Sequence, residues 1–168
     1  FVKSDVRNLN VFFNSHSDKP LIYKISGTWG NHEGSLLLWI LIMSVYTLIF
    51  SFNKNLNFKL KNLTIFFQTI MVSGFTIFMI LTSNPFIVNM SNNQEGLGLN
   101  PILQDPALAI HPPLLYLGYV GFSIILSLAI AGLITNQTEK LWVEVLKRYS
   151  IFCWSMLTLG ITAGSFWA

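Results

Sequence analysis

The residues of this 168-residue chain best suited to bind metal or move protons are three histidines, His16, His32 and His111, and one cysteine, Cys153. Cys153 lies in the apolar run IFCWSML, so it can form neither an internal disulfide nor a CxxC metal clamp. His32 stands beside Glu33 in GTWGNHEGS, but HEGSL lacks the second histidine of HExxH, which excludes a zinc-protease reading. The other residues of that element suit structural work. Trp29 is an interfacial anchor, Asn31 or Ser35 a helix cap, and Glu33 a favourable charge at a helix N-terminus. His111 precedes Pro112-Pro113, which pushes its backbone towards an extended conformation just before a helix begins. An imidazole held with so little backbone freedom suits an axial metal ligand, because neutral imidazole binds iron well. The alternative is a histidine that bonds a helix-end amide. No P-loop, GxGxxG, GxSxG or nucleophile–base pair is present.

The elements that must carry these residues are membrane helices. Hydrophobic residues make up 52% and charged residues 10%, with a mean hydropathy of +0.56. A soluble domain carries about 25% charged residues, and disorder needs low hydrophobicity with high charge. Residues 35–52 carry no charge; 18 residues rise about 27 Å as a helix, enough for a bilayer core. The spans expected are 35–52, 63–82, 113–134 and 149–168, the second closed by Ser83-Asn84-Pro85 and the third opened by Pro112-Pro113. Barrel strands are excluded, because no alternating ten-residue segments occur. The fold class expected is an all-α polytopic membrane helix bundle, residues 1–168 forming one membrane-embedded portion with no separate soluble domain.

Charge sets the orientation. The connector 53–62 holds Lys54, Lys59 and Lys61 and no acid, and 135–148 holds Lys140, Lys147 and Arg148 against Glu139 and Glu144. Residues 83–112 have no Lys or Arg. The positive-inside rule then turns the two basic connectors inward and the loops 1–34 and 83–112 outward. That puts His111 at the outer membrane–water boundary. Within 99–113, Ile102, Leu103, Leu108 and Ile110 suit a short amphipathic piece on the bilayer. The net charge of +3 reads as topology and not as a nucleic-acid patch, since no basic cluster with interleaved aromatics occurs. Fourteen Asn with abundant Ile, Phe and Lys hint at an AT-biased organellar genome. The start FVKSDVRNLN has no signal-peptide core. The sequons at Asn62 and Asn136 fall on the inner side and read as chance matches.

Inside the spans, Gly160-Ile161-Thr162-Ala163-Gly164 is a GxxxG step, and Ser127, Ala131 and Gly132 are further small residues; both favour close helix packing. The four expected spans contain no Asp, Glu, Lys, Arg or His, which argues against a proton relay, an ion pump, a carrier or a channel.

WGNHEGSLLLW (Trp29–Trp39), TSNPF (Thr82–Phe86), LNPILQDPALAIHPPLLYLGYVGFS (Leu99–Ser123) and LTLGITAGSFWA (Leu157–Ala168) resemble, in the same order, the CcmF family of membrane haem lyase subunits of cytochrome c maturation. The likeness runs from about Ser15 to the last residue. It implies attachment of haem b to apocytochrome c on the outer face of an energy-transducing membrane, the mitochondrial inner membrane or the bacterial cytoplasmic membrane. His111 matches an axial histidine of that family. Pro112 and Pro113 would hold the ligand loop, and Trp29, His32 and Glu33 match a signature element counted with the cofactor-binding residues. The tryptophan-rich haem platform and the second axial histidine are expected from outside this sequence. Either a split gene or a longer chain would supply them. The implied partners are those remaining CcmF parts, a haem chaperone, apocytochrome c and membrane lipid; this chain alone is not expected to catalyse the attachment. The alternative function is a structural, non-catalytic subunit of a larger inner-membrane respiratory assembly.

Overall fold

The computed structural model describes residues 1–91, 95–137 and 139–167. Ala168, the end of the expected fourth span, and Thr138, the last residue of the second sequon, lie outside it, as does the side chain of Leu108. Its helices in chain order are α1 (Leu9–Asn14), α2 (Leu21–Ser26), α3 (His32–Ser51), α4 (Phe58–Thr82), α5 (Pro106–Tyr119), α6 (Phe122–Thr135) and α7 (Lys140–Trp167), with a 3-10 turn at Pro101–Leu103. Four segments are long and apolar enough to cross a membrane: α3, α4, the α5–α6 pair from Ala109 to Thr135, and α7. The protein is an all-α polytopic bundle.

The bounds of these spans depart from the hydropathy reading. The first two helices begin three and five residues earlier than expected, at His32 and Phe58, because Asn31 and Asn57 cap them. The fourth begins at Lys140 instead of 149, taking Lys147 and Arg148 into its first turns. The third begins at Pro106 and contains His111, Pro112 and Pro113, so an ionisable residue does lie in a span. It is also broken at Val120–Gly121. There the Tyr46 hydroxyl donates to the Leu117 carbonyl at 2.6 Å, satisfying a group that the break leaves without its helical partner.

The interior joins Met43, Tyr46 and Phe50 of α3, Leu60 of α4, Ile124, Leu128 and Ala131 of α6 and Cys153 of α7. A polar clasp sits within it. Gln68 of α4, fully buried, donates from Nε2 to Ser123 Oγ at 2.7 Å and accepts from Ser127 Oγ at 2.9 Å. Gln68→Leu should lower stability by about 1 kcal/mol, since each serine hydroxyl can fall back on its own helix's carbonyls. Unfolding in mixed micelles measures it, and an unchanged midpoint would count against the clasp.

Both long loops gather at one end of the bundle. Leu9 N donates to Ile87 O at 2.9 Å, Asn89 N to Arg7 O at 2.7 Å and Leu97 N to Phe12 O at 2.7 Å. At the other end, Asn55 and Asn57 share a pocket with Gln137 and Glu139. This pairing agrees with the expected topology, in which 1–34 and 83–112 share one side and the two basic connectors the other. The sequon at Asn62 lies in α4, with Thr64 fully buried and bonded to the Leu60 carbonyl.

Candidate functional site

α5 starts where Asp105 offers two acceptors. Its Oδ1 takes Ala107 N at 2.7 Å and its carbonyl takes Ala109 N at 3.0 Å, with Pro106 at the first helical position where a missing N–H costs nothing. This early start overturns the expectation of an extended His111 ahead of a helix. His111 is helical and half-buried, and the two prolines lie inside the helix. They give up the N–H donations that residues 112 and 113 would otherwise make. Contact with α7 compensates.

That contact depends on glycines. Gly160 passes so close to α5 that a Cβ there would lie 2.7 Å from Leu115 N, and one at Gly164 would lie 2.5 Å from His111 Cε1. Gly118 of α5 approaches the backbone of Leu157 in the same way. The GxxxG step thus packs α7 against α5, as expected, and it also seats the imidazole. His111 Nδ1 donates to the Gly160 carbonyl at 2.6 Å. A carbonyl can only accept, so Nδ1 carries a proton, and in the neutral ring Nε2 is the nitrogen with the free lone pair.

The segment 27–35 forms a second arrangement. Asn31 Oδ1 accepts from Gly34 N at 2.7 Å and its Nδ2 donates to the Gly27 carbonyl at 3.1 Å, so Asn31 is the cap. Ser35 is not; its Oγ donates back to the Trp29 carbonyl at 2.9 Å. Glu33 occupies the first turn of α3, where it complements the helix dipole. His32 Nδ1 and Ser83 Oγ are 2.9 Å apart, tying the start of α3 to the end of α4. Trp29 turns inward, unlike an interfacial anchor. With Ser26, Asn31 and His32 it lines one side of a cavity of about 340 Å³, which Leu99, Leu103, Pro112 and Tyr116 close on the other. Trp39 stacks on Tyr116 (ring centroids 6.0 Å) and on Phe75 (5.2 Å), bracing that wall.

Trp29, His32 and Pro112 therefore meet at one cavity, while Glu33 and Pro113 stand outside its lining and His111 faces α7. His16 lies apart at the surface, where its Nδ1 accepts from Asp18 N at 3.2 Å. Among the described residues, no group of three or more His, Cys, Asp or Glu could hold a metal ion. Ile102 and Ile110 are exposed, as a membrane-surface piece requires, whereas Leu103 turns into the cavity. Ser83, Ser26 and Tyr116 had no signal in the sequence. Ser83 reads only as part of a helix stop, and its histidine lies 51 residues away.

A four-span helical bundle that presents one tautomerically fixed histidine at the end where its two long loops meet is a polytopic membrane protein with a candidate cofactor ligand. The family described as cytochrome C assembly protein matches residues 29–168, and the chain belongs to that family. It is 48% identical over 168 residues to the cytochrome c-type biogenesis protein CycK of Bradyrhizobium diazoefficiens, covering 99% of this chain and 26% of the relative. It is 43% identical over 172 residues to CcmF of Escherichia coli, covering 100% and 26%. NrfE of Haemophilus influenzae is 37% identical over 157 residues, covering 92% and 24%. The chain spans about a quarter of the length of these relatives. No solved structure matches it.

Proposed function

We propose that this chain is part of the membrane haem lyase of cytochrome c maturation and that His111 supplies one axial ligand to haem b. Family membership supports the reading, and one observation carries it: the 2.6 Å hydrogen bond from His111 Nδ1 to the Gly160 carbonyl. Metal-ligating histidines almost always donate their second ring N–H in this way, which sets the tautomer and raises the basicity of the free nitrogen. The donor set fits a haem as well. A porphyrin fills four positions on iron, so an axial site needs one imidazole and no cluster of ligands.

When bound, haem supplies the iron and the vinyl groups that react with the thiols of a CxxCH segment. The residues of this chain position it. Gly160 fixes the His111 tautomer, the α5–α7 contact restrains the ring, and Pro112 and Pro113 stiffen the helix that carries it. Trp29 and His32 face the same helix across the cavity that Pro112 lines, and Glu33 complements the dipole at the start of α3. The second ligand and the tryptophan-rich platform come from the remaining CcmF parts. A haem chaperone delivers the cofactor and apocytochrome c receives it. The membrane is the bacterial cytoplasmic membrane or its mitochondrial counterpart, the inner membrane, with loops 1–34 and 83–112 on the outer side.

The test is the haem content of the purified full-length assembly, read by the pyridine haemochrome, together with cytochrome c maturation in cells. His111→Ala should lower both while the assembly stays intact. Unchanged haem would overturn the ligand assignment, and normal maturation would favour a structural subunit that uses the glycine face of α7 only for packing.

A further inference from the structure

α3 and α7 enclose a groove at the end of the bundle that carries the basic connectors. Tyr46 and Ile49 of α3 form one wall and Tyr149 and Phe152 of α7 the other, with Arg148 beside them, around about 320 Å³. Rings bridge the walls, the Tyr46 centroid lying 6.4 Å from that of Tyr149 and 6.5 Å from that of Phe152. Ile49 is 54% exposed and Phe152 46%, so the groove opens on the surface of the bundle. Its polarity has a direction. Ile49 lies close to the end of α3 at Ser51 and Tyr46 lies deeper, while Phe152 is one turn, about 6 Å, further into α7 than Arg148. The cation thus stands at the connector end, and the apolar wall runs from it towards the middle of the spans.

Arg148 is exposed and makes no hydrogen bond or ion pair among the described residues. Glu144 stands four residues earlier on the same face of α7, yet no ion pair joins the two. Glu139, the other acid at this end, lines a separate pocket with Asn55 and Trp142. A guanidinium left unpaired at the border of an apolar layer is unfavourable, so the groove suits an occupant that brings an anion. A free anion gains little from one exposed cation, and a wholly apolar molecule leaves Arg148 unpaired. An anionic amphiphile satisfies both ends. We propose that the groove holds an anionic phospholipid, its phosphate on Arg148 and one acyl chain between Tyr46, Ile49, Tyr149 and Phe152. The planar guanidinium takes two phosphate oxygens side by side. The headgroup then lies with the basic connectors and the chain points to the bilayer centre, as a lipid of that leaflet does. The site stands independently of haem at His111, which meets α7 about three turns away at Gly160.

Native mass spectrometry of the full-length protein in detergent tests it, with dioleoyl phosphatidylglycerol and dioleoyl phosphatidylcholine as probes. The unaltered protein should retain phosphatidylglycerol about fivefold more tightly, the worth of one cation beside an anionic headgroup. Arg148→Gln should erase that preference. Lys147→Gln removes the same charge from the adjacent position, which does not line the groove, and should keep it. Ile49→Trp should fill the groove and weaken retention of both lipids. Equal retention of the two lipids by the unaltered protein, a comparison that needs no variant, would overturn the proposal. Equal losses in Arg148→Gln and Lys147→Gln would overturn it too, since they would mean diffuse attraction to the basic end. Displacement of the lipid by glycerophosphoglycerol, the headgroup without chains, would count against it in favour of a simple anion site.

Discussion

His111→Gly should abolish the b-type haem signal of the assembled protein, and added imidazole should restore it. If His111 ligates haem as proposed, the substitution removes the ligand nitrogen and leaves a space that a free imidazole can enter, with the Gly160 carbonyl still in place to take its N–H. Gly164→Ala should give a graded form of the same defect. A methyl group there would lie 2.5 Å from His111 Cε1 and 2.8 Å from Nδ1, so the ring must shift and its hydrogen bond to Gly160 weakens. Loss of such an orienting bond typically lowers metal affinity about 10–100-fold. Imidazole should not rescue Gly164→Ala, because the native ring still occupies the site. Reduced-minus-oxidised spectra and haem titrations measure both effects. Full haem retention in Gly164→Ala would mean that the seating of the ring does not matter.

The largest loss of stability is expected at Gly34, not at a bulky core residue. The Thr28 carbonyl occupies the place where a Cβ of residue 34 would stand. Gly34 N also donates to the Asn31 cap, so the backbone there cannot move without releasing the cap. Gly34→Ala should therefore cost about 3 kcal/mol through overpacking and loss of the cap. It should also displace Trp29 and His32, which the same turn holds. Gly74→Ala is the matched control. Nothing lies within 4 Å of a Cβ at Gly74 in α4, so alanine there should stabilise the helix by about 0.5–1 kcal/mol. Thermal unfolding in detergent should move in opposite directions for the two variants, and equal shifts would contradict the argument.

The HEGS element shows why two tight readings of one segment can diverge. Its residue types announce a helix start, and a helix does start there, at His32. Asn31 and Ser35 are equivalent as caps by type, and only the path of the backbone makes Asn31 the cap and turns Ser35 back to Trp29. Trp29 likewise has the composition of an interfacial anchor. Folding of the 27–35 turn over α3 points it into a cavity instead.

From its sequence alone this protein was legible as four apolar helices with two basic connectors at one end and two long loops at the other. These follow from desolvation, which depends on which residues are adjacent along the chain. Tertiary structure decided the rest. It drew the third helix back to Pro106 and broke it at Val120–Gly121, because packing against the glycines of α7 outweighs the local preference of a residue before proline. It also chose the His111 tautomer through a carbonyl 49 residues away, and it joined His32 to Ser83. Hydrogen bonds and close approaches of this kind depend on where two helices cross, and hydropathy along one chain carries no record of that crossing.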